Sequence, residues 1–336
     1  MNKRHIIGIL FVLLISCIVI CKELSTINIA TLIKDANLIN VFYCVLIFVT
    51  LAFSFLCESF ILVILNYEQN SLIPPFWSFV RVSLVQSLFN AITPMSTGGQ
   101  PAQIVALKQM GISVGKATSV LLMKFIIYQI SVFGIYIFAF VTCFQSILAK
   151  FDGIAVFIFI GFILHISSII FLLFILFAHN FTVKLTKKIG NFLFYLIKSK
   201  KLSNWQNNVL NQIDNFYVEG EKLRSNKMKL FCCFCLTLLQ LLCFYSVPFF
   251  ILLALNLNCS WLAVTKINVM NTLFMSIVPI PGAEGGAEFG FQKLFSTFID
   301  SKSLLVLALF LWRFATYFLE IILGLIFWTI KPKKHY

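Results

Sequence analysis

The amino-acid sequence predicts an all-α integral membrane protein with six full transmembrane helices plus two inverted re-entrant Pro/Gly hairpins, all in a single membrane domain covering residues 1–336. Three observations carry this reading. First, 60% of the 336 residues are hydrophobic and 11% charged, against about 45–50% and about 25% in an ordinary soluble domain, and the mean hydropathy is +0.97. Second, long apolar runs recur along the chain, and a bilayer core about 30 Å thick takes about 20 helical residues to cross. Third, the Lys and Arg residues behind the formal charge of +14 stand mainly between the apolar runs, the distribution that orients a membrane protein. In a soluble protein that charge would suggest nucleic acid; here no nucleic-acid partner is expected.

The six spans are expected at residues 6–21, 39–65, 117–143, 154–179, 230–256 and 303–330. The first follows Lys3, Arg4 and His5. It contains Leu14-Ile15-Ser16-Cys17, which resembles a lipoprotein cleavage box, but its apolar run continues through Ile20, so an uncleaved helix is expected. The segment 180–229 sets Lys184, Lys187, Lys188, Lys198, Lys200, Lys201, Lys222, Arg224, Lys227 and Lys229 against Asp214, Glu219 and Glu221, and is expected to be cytoplasmic. With six crossings, and two hairpins that enter and leave on one face, both termini and every basic segment fall on that same side. The expected location is the bacterial inner membrane, multi-pass, with cytoplasmic termini.

The two interrupted apolar stretches, 78–107 and 266–299, match at an offset of 187 residues. Pro94 falls on Pro281, Gly98 on Gly285 and Gly99 on Gly286, so Pro-x-x-x-Gly-Gly occurs twice. Three spans separate them, which inverts one relative to the other. Paired hydrophobic segments broken by Gly and Pro point to a transport site near the bilayer midplane, because backbone freed from a helix must be buried in protein or line a wet cavity. Kinked helices packed through small residues are the alternative. Polar groups at the tips (Thr93, Ser96, Thr97, Gln100 and Gln103 in the first, Glu284 and Glu288 in the second) are more than packing requires.

A charge near the centre of a span costs about 2.5–3.5 kcal/mol even on insertion scales, so each one is a functional candidate. Glu58, Lys124 and Arg313 are such charges. His165 in the fourth span is expected to bond a neighbouring helix rather than to carry protons. Trp77, Trp261, Trp312 and Trp328 fall near span or hairpin ends and read as interfacial anchors. Cysteines inside the spans pack as small hydrophobes, and Cys232, Cys233 and Cys235 lack the further ligands that a metal needs. No metal, cofactor or catalytic residue is expected, and no Gly-x-x-x-x-Gly-Lys sequence is present to hold a nucleotide.

Three segments, Asn90-Ala-Ile-Thr-Pro-Met-Ser-Thr-Gly-Gly-Gln-Pro-Ala-Gln103, Gly111-Ile-Ser-Val-Gly-Lys-Ala117 and Pro279-Ile-Pro-Gly-Ala-Glu-Gly-Gly-Ala-Glu288, resemble the lysylphosphatidylglycerol synthase transmembrane (flippase-like) family over nearly the whole chain. In larger members the membrane region is thought to flip aminoacylated phosphatidylglycerol, and a separate cytosolic domain makes it from aminoacyl-tRNA. The sequence ends at Tyr336, six residues after its last span, so that cytosolic domain is expected to be absent. The resemblance implies a membrane phospholipid as partner, together with a separate lipid-modifying enzyme. Three readings stay open: a lipid translocase, a protein taking part in lysyl-phosphatidylglycerol synthesis as a phosphatidylglycerol lysyltransferase, and a non-transporting membrane scaffold.

For a lipid phosphate the expected donors are Arg313 first, then Arg81 and Lys124, because guanidinium binds phosphate bidentately. Glu284 and Glu288 either meet the ammonium of an aminoacyl headgroup or close a salt bridge to Arg313. Glu58 either serves the lipid or pairs with a basic residue. Asn90, Thr93, Pro94, Gly98, Gly99, Gln100, Pro281, Gly285 and Gly286 complete the expected binding and translocation set.

Overall fold

The computed structural model describes residues 29–67, 74–150, 152–177 and 226–330, with scattered helical positions between 181 and 225. The expected span at 6–21, most of the basic segment 180–229 and the tail 331–336 lie outside the described residues. The described chain is helical, without strands. Its helices are α1 (Ile29–Ala36), α2 (Val41–Asn66), α3 (Phe76–Ile92), α4 (Gly99–Gln109), α5 (Val114–Lys150) and α6 (Asp152–Phe177), followed by α7 (Lys227–Tyr245), α8 (Val247–Ala254), α9 (Trp261–Met275), α10 (Gly286–Phe295), α11 (Lys302–Arg313) and α12 (Leu319–Thr329).

Five segments are long and apolar enough to cross a membrane: Val41–Asn66, Val114–Phe144, Gly153–Ile170, Lys227–Ala254 and Lys302–Thr329. They coincide with the second to sixth expected spans. Two are compound. Pro248 cannot donate to the ladder, so α7 and α8 meet at Ser246. The last joins α11 to α12 through a π-helical turn, Phe314–Phe318, an irregularity that frequently marks functional sites. Side chains start several of these helices: Asn40 accepts from Phe42 N at 3.1 Å and Asn226 from Lys229 N at 3.0 Å, satisfying amides that have no helical partner. Along α6, large apolar side chains such as Phe157, Phe159, Ile163 and Leu164 stand exposed, as expected of a helix solvated by lipid.

The ends of the bundle are marked by contacts between chain segments. At one end Asn40 N donates to Ala254 O at 2.8 Å, Asn256 Nδ2 to Leu38 O at 2.8 Å, and Ser303 Oγ to Asp35 Oδ2 at 2.5 Å. At the opposite end Lys229 Nζ donates to Tyr67 O at 2.8 Å. The helix pair α3/α4 opens toward the Tyr67 end, where the ring of Phe76 packs at a tilt against Phe60, centroids 4.6 Å apart. The pair α9/α10 opens toward the Asn40 end, where Trp261 Nε1 donates to Ser246 Oγ at 2.8 Å. Each pair is broken by a 3-10 turn, Pro94–Ser96 and Pro281–Ala283, and the two turns pack against each other.

The offset of 187 residues survives as conformation. Both turns begin at the matched prolines, and the following helices begin at the matched Gly99 and Gly286. Two consecutive residues in each turn are left-handed: Met95 and Ser96 (φ 50 and 56°), and Gly282 and Ala283 (φ 62 and 51°). L side chains cost roughly 1–2 kcal/mol each in that region, so three of the four positions hold it against their own preference. Helix α12 runs antiparallel along α3, and Gly324 permits the close crossing: a Cβ there would stand 2.5 Å from Leu88 Cβ and 2.7 Å from Leu84 O. Trp312, expected as an interfacial anchor, is instead buried, with its ring stacked on Phe291 at 4.8 Å. Its place on the inward face of α11 was not visible from its distance to a span end.

Candidate functional site

Among the described residues, the buried cations divide into Lys124 and Arg313, each in an ion-pair centre, and Arg81, which is in neither. The first centre gathers side chains from five helices on the Tyr67 side of the turns. Lys124 of α5 pairs with Glu58 of α2, and both are buried. Lys124 Nζ also donates to Gln86 Oε1 of α3 at 2.7 Å and reaches Gln103 Oε1 of α4 at 3.4 Å, while Gln240 Nε2 of α7 donates to Glu58 Oε2 at 3.4 Å. At 1.5 Å of rise per residue, Glu58 lies about 12 Å inside the end of α2, too deep for either charge to stand alone. Tyr128 of α5 and Glu320 of α12 are within electrostatic reach of Glu58.

The second centre lies on the Asn40 side and is built largely from the turn Pro281–Ala283 itself. Arg313, the last residue of α11, donates from Nε to Glu288 Oε1 at 2.5 Å and from Nη1 to Gly282 O at 2.9 Å. The other carboxylate oxygen of Glu288 accepts from Gly285 N at 2.6 Å, so Glu288 caps its own helix while holding the arginine. The guanidinium lies over the ring of Tyr317 at 5.0 Å, a geometry that attracts a cation to the ring face. Tyr317 donates to Ala91 O at 3.4 Å and its ring meets the second turn at Gly282, which links that turn to the end of α3. Arg313 Nη2 is buried without a hydrogen-bond partner among the described residues.

The remaining expected residues shape the turns. Thr93 Oγ1 accepts from Gly98 N at 2.8 Å and donates to Phe89 O at 2.5 Å, closing the end of α3. The carboxamide of Asn90 fills the space beside Gly99, where a Cβ would come within 2.0 Å of its Oδ1. Gly285 sits at φ 80°, and Gly286 packs under Val278. Pro94 and the residues through Thr97 are exposed, Gln100 and Pro281 half-buried. Arg81 joins neither centre: it bonds Phe327 O and Gln109 Oε1 near the Tyr67 end.

The expected salt bridge of Arg313 therefore forms with Glu288, and the pairing reading of Glu58 is realised through Lys124. His165 lies beside the backbone carbonyl of Gln129 at 3.4 Å, in the neighbouring helix. Sequence reasoning missed Gln86, Gln240 and Tyr317, whose value comes only from the helices they face. It also missed Glu320, which meets the criterion applied to Glu58: a carboxylate inside an apolar span. Among the described residues no three His, Cys, Asp or Glu side chains are grouped to hold a metal, and Cys232, Cys233 and Cys235 are free thiols.

Long apolar helices, two Pro/Gly turns packed against each other and charges buried in pairs define a multi-pass, helical membrane protein. The chain belongs to the family described as the lysylphosphatidylglycerol synthase TM region, which it matches over residues 5–324. It is also similar to a UPF0104 membrane protein of Archaeoglobus fulgidus, 24% identical over 257 residues that make up 75% of each chain.

Proposed function

We propose that this protein is a phospholipid translocase of the flippase-like kind, with phosphatidylglycerol or its aminoacylated form among the candidate cargoes. In this reading the chain has six crossings, α3/α4 and α9/α10 are re-entrant from opposite faces, and the Tyr67 end is cytoplasmic together with both termini. The observation that carries the reading is the meeting of the two Pro/Gly turns between two buried ion pairs. Tyr317, which touches Ala91 at the end of α3, stands near the middle of the span Lys302–Thr329, so the turns meet deep in the bundle. Pro94–Thr97 are nevertheless exposed there, and polar backbone exposed at such depth belongs beside a wet path.

A headgroup moves along this path while its acyl chains stay in the bilayer. Its phosphate takes the free Nη2 of Arg313 in a charge-assisted bond, and an aminoacyl ammonium meets Glu284 beside it. A separate enzyme that modifies the lipid supplies the cargo. The test is reconstitution of the full chain into liposomes carrying fluorescent phosphatidylglycerol, with a membrane-impermeant quencher reporting leaflet exchange. Exchange above that of empty vesicles, lost in Arg313→Ala, is expected. Exchange equal to empty vesicles with folded protein overturns the proposal, and full activity of Arg313→Ala in cells favours the scaffold reading.

A further inference from the structure

Among the described residues, Arg81 differs from the buried cations Lys124 and Arg313 in having no counter-charge. It is 4% exposed. Nε donates to Phe327 O at 3.1 Å and Nη2 to Gln109 Oε1 at 2.8 Å, while Nη1 is buried without a partner among the described residues. Both acceptors are neutral. Phe327 lies in the last turn of α12, whose carbonyls carry only part of a charge. Lys124 and Arg313, by contrast, each sit on a carboxylate. An uncompensated guanidinium in an apolar bundle is expensive to keep, so its persistence calls for an anion.

The surroundings allow one to arrive. Gln109, at the end of α4, is exposed, so its side chain is a movable cover whose carboxamide oxygen occupies the place of an anionic oxygen. Swinging it aside leaves Nη1 and Nη2 as a fork suited to two oxygens of one phosphate. Lys108 beside it is exposed and adds a second positive charge. Trp77, 70% exposed, stands one turn before Arg81. Tryptophans of this kind mark the headgroup level of a bilayer, where lipid phosphates reside.

We infer that Arg81, covered by Gln109, is a seat for a phosphate group at the Tyr67 face, separate from the Arg313 centre, and that the phosphate of an anionic phospholipid occupies it. As the point where cargo loads, the seat rests on the translocation reading; as a binding site it can be measured without it. The informative substitution is Gln109→Glu, which supplies the missing carboxylate within reach of Nη2. It should leave the protein folded, melting at or above the wild-type temperature, and block the seat.

The full chain in detergent is incubated with mixed micelles of phosphatidylglycerol or phosphatidylcholine, and bound lipid is counted by native mass spectrometry. Expected are preferential retention of phosphatidylglycerol by wild type, a loss of about tenfold in Arg81→Gln and in Gln109→Glu, and an intermediate result for Arg81→Lys. Millimolar inorganic phosphate should not displace the lipid; displacement would overturn the lipid assignment in favour of a soluble phosphate. Wild-type retention by a folded Gln109→Glu protein would overturn the seat itself, whatever the exchange assay reports. Conversely, absence of leaflet exchange with the tenfold difference intact would remove translocation and leave the seat standing.

Discussion

The two ion-pair centres flank the same pair of turns but are held in different ways. On the Asn40 side, Arg313 of α11 is fixed by the α9/α10 hairpin, through the Glu288 carboxylate and the Gly282 carbonyl, so the cation is tied directly to the turn. On the Tyr67 side, Lys124 is held by side chains from three other helices, Glu58, Gln86 and Gln103, and a third glutamine, Gln240 of α7, donates to Glu58. A carboxamide can turn from acceptor to donor and so tolerate a change of charge, whereas a backbone carbonyl accepts only. The difference suggests a rigid centre that sets the shape of its turn and an adjustable one that can follow movement between helices.

Removing a partner from the rigid centre should break this contrast most severely. Glu288→Ala strands Arg313 on neutral groups and uncaps α10, and is expected to cost about 3–5 kcal/mol, measured by denaturant titration in mixed micelles. Adding Arg313→Leu should recover much of that loss, and a double variant no better than the single would refute the coupling. Lys124→Met strands Glu58 but leaves Gln240 in place and Gln86 free to reorient, so a smaller loss of about 2–3 kcal/mol is expected in the same titration. A loss equal to that of Glu288→Ala would erase the distinction between the centres.

The turns sharpen the comparison at lower amplitude. Gly282 is left-handed, and a Cβ there would meet the Tyr317 ring at 2.3 Å. Gly282→Ala should therefore cost about 1–2 kcal/mol and disturb the tyrosine fluorescence of the folded protein. At the matched position of the other turn Met95 already carries the strain (φ 50°), so Met95→Gly should stabilise, by only about 0.5 kcal/mol because glycine also loosens the unfolded chain. Thermal melting that moves in the same direction for both variants would mean that the turns are not conformational equivalents.

Much of this was legible in the sequence because lipid imposes a simple rule: a span must be apolar, long and helical. Five of the expected spans reappear within a few residues. The repeat was legible for a related reason, since Pro and Gly are the residues that a helix break requires, and the matched prolines do start matched turns. Glu58, Lys124 and Arg313 were found because a charge in an apolar run stands out. The glutamines, Tyr317 and the burial of Trp312 were not, because a neutral polar or aromatic residue is common in spans and acquires meaning only from the helix it faces.

The sequence by itself thus determined the solvent, the helical class, the breaks and which charges fall inside apolar spans. Only the tertiary structure decided the partnerships: that the charges form two centres instead of one, that the two turns touch, and that Arg81 has no counter-ion among the described residues. The physical reason is one of range. Hydropathy and backbone preference act within a few residues along the chain, whereas the pairs Glu58–Lys124 and Glu288–Arg313 are 66 and 25 residues apart, and are made only when packing brings separate helices together.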